Sequence, residues 1–113
     1  MASAAEEREW SVLVMDLGRY QDPEGETLID GFPTYEQARE YARRRTRASI
    51  EEVRGSILSP DLVREKWLLF GESCLVVGEN YRGSDEVEWF IWHRPNSPDD
   101  LDWKSLEPLW LSF

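Results

Sequence analysis

The sequence predicts an α+β fold: a single two-layer domain in which an antiparallel sheet of about four strands carries helices on one face. Three observations support this fold: β-prone runs towards both ends of the chain, two amphipathic helical segments between them, and capping residues before each helix. The element order is ββααββα, which separates strands and helices into layers. The length of 113 residues suits one domain over residues 10–113, after a disordered N-terminus at 1–9.

The first two strands are predicted from a long β-prone run and a turn. Residues 10–17 read Trp-Ser-Val-Leu-Val-Met-Asp-Leu, and the apolar residues at 12–15 occupy both alternating faces. This pattern is typical of a central strand that is covered on two sides. The run Asp-Pro-Glu-Gly at 22–25 indicates a turn, and residues 27–30 then form a second strand that pairs with the first.

The longest predicted element is a helix that begins at Thr34 and ends near Gly55. Thr34 and Gln37 form a capping box, in which each side chain satisfies a backbone N–H that the helix leaves unpaired. The helix carries a small, mildly apolar stripe on one face, so it can pack closely against a sheet. The residues of this stripe are Tyr35, Ala38, Ala42, Thr46, Ser49, Ile50 and Val53.

A second helix is predicted to follow Ser59, a capping residue succeeded by proline and aspartate, and to end at Gly71. Its buried stripe consists of Leu62, Val63, Trp67 and Phe70. Residues 74–77 and 86–93 are predicted as the two strands of an antiparallel hairpin. In the second of these strands, alternation places Val87, Trp89 and Ile91 on one face and Glu88, Phe90 and Trp92 on the other. A third, short helix begins at Ser97.

The predicted sheet needs a cover on its second face, because at least two strands are apolar on both sides. One candidate is a second subunit. The other is the C-terminal segment, with its apolar residues Trp103, Leu106, Leu109, Trp110 and Phe113.

The charge of the chain is strongly negative, with 23 acidic and 13 basic residues and a formal charge of −10. A run of arginines at 43–47 lies on the first helix, where helical geometry distributes the side chains around the axis, with Arg44 and Arg47 opposite the apolar stripe. The i,i+4 spacing predicts ion pairs of Arg44 with Glu40 and of Arg47 with Glu51. We therefore do not expect nucleic acid as a partner. We expect a cytoplasmic protein, because no run is long enough for a membrane span and the N-terminus is polar.

No catalytic, metal-binding or cofactor-binding residue is predicted. Cys74 and His93 are the only residues of their kinds and lie on strands expected to pair, but Cys74 begins an apolar run, where cysteine usually acts as a small hydrophobe. The acidic loop at 22–26 lacks the spacing of a calcium loop. One cysteine also excludes an internal disulfide.

Several short motifs resemble a family of small, uncharacterised bacterial proteins. In this chain they are W-x-V-x-V-x-D from Trp10, Y-x-D from Tyr20, G-F-x-T from Gly31 and F-G-E from Phe70. The family has a W-x-V-x-V-D strand, an F-H-Y-M-D-E turn, a G-x-F-x-T-x-x-E-A helix start and an F-G-E-D-P turn. This chain departs from it at positions 19 and 21, which hold Arg and Gln instead of His and Met, and at 73–74, which hold Ser-Cys instead of Asp-Pro. The resemblance spans residues 10–77 and implies a cytosolic bacterial protein but no activity.

The function expected from these features is the binding of another protein, or of a second copy, without catalysis. Aromatic side chains rimmed by charge mark protein interfaces. The residues predicted to contact the partner are Glu88, Phe90, Trp92, Trp103 and Trp110. Two alternatives remain open: an electrostatic decoy or immunity-type inhibitor of a basic nucleic-acid-binding protein, and a small hydrolase that uses Asp and Glu.

Overall fold

The computed structural model describes residues 9–19 and 21–108. It confirms the α+β class, but the sheet has three strands rather than four, and three α-helices accompany it in the described residues. The strands are β1 Trp10–Asp16, β2 Glu26–Phe32 and β3 Glu72–Val76, and the helices are α1 Tyr35–Arg54, α2 Pro60–Phe70 and α3 Val87–Trp92. Short 3₁₀ turns span Leu17–Arg19, Pro23–Gly25, Gly83–Glu86, Pro98–Leu101 and Lys104–Leu106. Of the N-terminus predicted to be disordered at 1–9, residues 1–8 lie outside the described residues, as do the apolar residues at 109–113.

The sheet is antiparallel with the strand order β2-β1-β3, so β1 is central, as predicted. Val12 and Val14 on one face of β1 are buried beneath α1, beside Cys74 and Val76 of β3. An irregularity between Trp10 and Val12 lets β1 pair with the end of β2.

Both long helices begin where the capping residues predicted. Thr34 Oγ1 accepts a hydrogen bond from the N–H of Gln37 at 3.1 Å, and Ser59 caps α2 in the same way. The second half of the predicted capping box does not form, because Gln37 Nε2 donates instead to the carbonyl of Leu106 at 2.9 Å. Gln37 thereby fixes the C-terminal 3₁₀ turn against α1.

The predicted strand at 86–93 is wrong: the structure has a 3₁₀ turn followed by α3. Val87, Phe90 and Ile91 are spaced i, i+3 and i+4, the spacing of one helical face, and all three are buried, whereas alternation would place Phe90 on the other face. They complete a second core cluster with residues of α1 and α2, namely Ile50, Val53, Val63 and Trp67. The predicted buried stripe of α2 is therefore only half right, because Leu62 and Phe70 are exposed. A short apolar segment takes the conformation that buries the most surface, and here that is the helical one.

The predicted third helix is also different, since residues 98–106 form two 3₁₀ turns. Trp103 and Leu106 pack against the first core cluster, where Trp103 lies 5.7 Å from the ring of Tyr41 on α1. They do not cover the opposite face of the sheet. Within residues 9–19 and 21–108, no helix is long and apolar enough to cross a membrane.

Candidate interaction surface on helix α3

Helix α3 has one buried side and one exposed side. The exposed side carries four side chains, and we call them the α3 face: Glu88, Trp89, Trp92 and His93. Trp89 is 48% exposed and Trp92 is 63% exposed, which is high for the largest apolar side chain. Phe90 points the other way and is fully buried. The expectation that Phe90 and Trp92 share a surface is therefore corrected.

Trp92 is connected to α2 by a chain of polar contacts. Its Nε1 donates to Glu88 Oε1 at 3.1 Å, and Arg64 of α2 donates from Nε to Glu88 Oε2 at 2.8 Å. Arg64 also pairs with Asp61 at 2.7 Å. The hydrogen bonds from Arg64 and then from Trp92 lower the pKa of Glu88, so its carboxylate stays charged beside the indole.

The ring of Trp89 packs against neighbouring side chains. It stacks on the ring of His93 with centroids 4.3 Å apart and planes 14° apart. The guanidinium carbons of Arg47 and Arg43, both from α1, lie 5.3 Å and 5.9 Å from its centroid. These contacts favour one orientation of the indole while almost half of it stays accessible.

The C-terminal end of α3 is stabilised by two buried arginines of α1. Arg54 donates from Nη1 to the carbonyl of Ile91 at 3.0 Å and from Nη2 to the carbonyl of Phe90 at 3.1 Å. Arg47 donates from Nη2 to the carbonyl of His93 at 2.9 Å. A helix leaves its last four carbonyls unpaired, and cations are favoured at this end. A six-residue helix has few internal bonds, so these external ones matter.

The N-terminal end of α3 is held by α1 as well. Arg43 Nε donates to both carboxylate oxygens of Glu86, at 3.2 and 3.1 Å. Tyr81 donates its hydroxyl to the same carboxylate at 2.6 Å. Burial, with the hydrogen bond to Glu86, raises the pKa of Tyr81 above its ordinary value. Both ends of α3 are thus attached to one long helix.

The arginine run of α1 is engaged within the protein. Arg44 bonds to Glu40 at 3.1 Å, as predicted, and Arg45 bonds to Glu72 at 3.1 Å and to Tyr41 at 2.7 Å. The prediction that Arg47 faces solvent in a pair with Glu51 is wrong, because Arg47 is buried and donates to the carbonyl of His93 instead. A signal was available in the sequence: Arg43, Arg47 and Arg54 are spaced by four and seven, the spacing of one helix side.

The structure brings together only part of the predicted site. Glu88 and Trp92 are neighbours, and Trp89 belongs with them although the strand prediction placed it on the other face. Trp103 lies at the first core cluster, with the guanidinium of Arg45 4.2 Å from its ring centroid, whereas α3 packs at the second cluster. Trp110 lies outside the described residues.

The remaining candidate chemistry is weak. Burial raises the pKa of the Cys74 thiol to about 12, and His93 Nδ1 lies 2.9 Å from the Trp89 carbonyl, so neither is arranged as a nucleophile with its base. A groove of about 450 Å³ includes Asp16 and Asp22 in its lining. Hydrogen bonds from the Glu24 N–H and from Arg19 lower the pKa of Asp22, the opposite of what a general acid needs. The described residues contain no cluster of ligands for a metal.

Comparisons with protein-family models, with curated proteins and with solved structures found no match to this chain. The resemblance to the small bacterial family therefore stays an expectation from short motifs.

Proposed function

We propose that this protein acts by binding another protein, with the α3 face as its contact surface. One observation carries the proposal: Trp89 and Trp92 are 48% and 63% exposed on a helix that arginines of α1 hold at both ends. Tryptophan is among the residues that contribute most to binding free energy at interfaces. Exposing two of them in water is unfavourable, and a partner that covers them would recover that free energy.

The fixed position of α3 supports the proposal further. A contact surface that is ordered before binding loses little conformational entropy on association. Arg54 bonds to the carbonyls of Phe90 and Ile91, Arg47 bonds to that of His93 just after the helix, and Arg43 anchors the start of the helix through Glu86. These bonds hold the backbone of α3, and the contacts of Trp92 with Glu88 and of Trp89 with His93 favour one orientation of each indole.

Glu88 adds a charged group to the α3 face and so favours a particular kind of partner side chain. Its charged carboxylate accepts from the indole of Trp92 and lies at the edge of the aromatic side chains. A partner side chain with an apolar stem and a cationic head would cover the Trp92 ring and reach Glu88. The charge of −10 would speed the approach of such a partner.

Site-specific crosslinking tests this function. A photoreactive benzoylphenylalanine in place of Trp92 should yield one discrete adduct in cells, whereas the same residue in place of the exposed Glu65 of α2 should not. The affinity of the purified partner is then measured for the native chain, for Trp92→Ala and for Leu62→Ala. Leu62 is a matched control, because it is an exposed apolar residue of α2.

We expect Trp92→Ala to weaken the affinity by about tenfold or more and Leu62→Ala to leave it unchanged. An adduct with a second copy of the chain would identify the partner as that second copy, and the α3 face would then be the interface of a homodimer. Equal losses in the two variants, or no adduct at position 92, would contradict the proposal. If the affinity fell steeply with salt concentration and Trp92→Ala left it unchanged, the function would be better described as that of an electrostatic decoy.

A further inference from the structure

The sheet has one open edge in the part of the chain that the structure describes. β2 pairs with β1 on its inner side only. The other edge strand, β3, is partly covered, because Leu75 forms a bridge with Arg82 and the N–H of Val76 donates to the carbonyl of Tyr81 at 3.1 Å. The seven residues of β2 therefore offer the longer row of unpaired backbone donors and acceptors.

The face of the sheet away from α1 carries an apolar row. Leu28, Leu13 and Leu75 lie directly opposite one another on β2, β1 and β3, so the row crosses the full width of the sheet. Leu28, at the open edge, is 53% exposed. An additional strand beside β2 would extend this row and cover Leu28.

The open edge also lies in the part of the chain where charges of a single sign, the negative one, predominate most. Between Arg19 and Arg39 there is no basic residue, and there are five acidic ones. Arg19 pairs with two of these, Asp22 and Glu24. On β2 itself, Glu26 and Asp30 are exposed on the same face as Leu28, two residues away on either side. Asp30 accepts a hydrogen bond from the hydroxyl of Ser11 at 2.5 Å, and no cation among the described residues pairs with either carboxylate.

We propose that the edge of β2 binds an extended segment of another protein, which adds to the sheet as a fourth strand. The segment carries a basic residue two positions before and two positions after an apolar residue. Its backbone bonds to β2, its apolar side chain covers Leu28, and its basic side chains pair with Glu26 and Asp30. This surface is separate from the α3 face and does not depend on it.

A second copy of this chain is the poorer occupant. If two β2 strands paired antiparallel about Leu28, Glu26 of one copy would lie opposite Asp30 of the other. Like charges directly opposite each other destabilise strand pairing. The same acidic residues thus oppose self-association and favour a basic strand.

The probe is a blocked peptide, acetyl-Thr-Lys-Thr-Val-Thr-Lys-Thr-amide, with a matched peptide that has glutamate in place of both lysines. Binding to the full chain is followed by two-dimensional NMR of the backbone amides. The test variant is Glu26→Lys/Asp30→Lys. The control is Glu52→Lys/Glu65→Lys, which makes the same change in net charge at exposed residues of α1 and α2.

We expect the lysine peptide to shift the amides of 26–32 and to slow the exchange of those that point outward. The test variant should bind it about tenfold more weakly and should prefer the glutamate peptide, while the control variant binds as the native chain does. Three results would overturn the proposal. The control variant could bind the lysine peptide as weakly as the test variant does, or the peptide could shift amides outside β2 instead of those at 26–32. The third is that every consecutive amide of β2 is already protected from exchange in the free protein. The last result would mean that the edge is already occupied.

Discussion

Arg54 illustrates how a buried charged side chain can serve as a structural bond. Its guanidinium bonds to two carbonyls of α3 and to both carboxylate oxygens of Glu51, at 3.0 and 2.9 Å. The charge is therefore neutralised, and four of the five N–H donors are used. An arginine suits this position because its planar head carries donors in several directions at once.

Arg54→Ala should lower the free energy of unfolding by about 3 kcal/mol, because it leaves buried carbonyls and the Glu51 carboxylate without their donor. The matched control is Arg39→Ala on the same helix, where the side chain is 42% exposed and the loss should stay below about 1 kcal/mol. Urea unfolding followed by circular dichroism measures both. Equal losses would show that Arg54 does not hold α3.

At the scale of elements, α3 depends on packing from outside itself. Its buried side chains complete the cluster of α1 and α2, and the turn before it lies close to α1 at Gly83. A Cβ at Gly83 would come within 2.1 Å of Thr46 Oγ1, the atom that accepts from the N–H of Cys74 at 3.1 Å. The absence of a side chain at this position lets α1, β3 and the start of α3 meet.

Phe90→Ala and Trp92→Ala should differ in their effect on stability, because Phe90 and Trp92 lie on opposite sides of α3. Phe90→Ala removes a buried ring and should cost about 3–5 kcal/mol of stability, whereas Trp92→Ala removes an exposed one and should cost less than about 1 kcal/mol. Denaturant unfolding of each variant, with tryptophan fluorescence and circular dichroism as probes, provides the comparison. Similar small losses would be incompatible with the burial of Phe90.

On the scale of the whole molecule, two core clusters are joined by α1, which contributes residues to both. The first cluster lies between α1 and the sheet, and the second lies between α1, α2 and α3. Three weakly acidic groups, Cys74, Tyr41 and Tyr81, are protected from ionisation, because burial raises the pKa of each. This protection makes the stability of the fold sensitive to alkaline pH.

Stability should fall as the pH rises above about 9. In the unfolded chain these groups lose their protons near pH 9 to 10, whereas in the folded chain they stay protonated, with the pKa of Cys74 at about 12. The folded state then binds more protons, so each group lowers the free energy of unfolding by about 1.4 kcal/mol per pH unit within its window. Urea unfolding between pH 7.5 and 10.5 measures the slope.

Cys74→Ala is the control for this effect. This variant should be less stable than the native chain at pH 7.5, because the substitution leaves a small cavity. Its stability should nevertheless fall less steeply as the pH rises, because the proton of the Cys74 thiol no longer contributes. A native slope of zero above pH 9 would contradict the burial of these groups.

The sequence alone determined the features that depend on neighbouring residues. The caps at Thr34 and Ser59, the stripe of α1 and the apolar run of β1 are local patterns, and each produced the predicted element. The α+β class followed from them. Of the predicted contact residues, Glu88 and Trp92 share a surface although the predicted strand is wrong, because residues four apart lie on one face of a strand and also meet on a helix.

Only the tertiary structure decided the features that depend on distant residues. The segment at 86–93 matches a strand as well as a helix, and Val63 and Trp67 of α2 supply the surface that favours the helix. Arg47 and Arg54 are buried because the carbonyls of α3, at least 36 positions further along the chain, accept their hydrogen bonds. Burial of a charge is favourable only where such acceptors converge, and the spacing of residues along one helix does not reveal them.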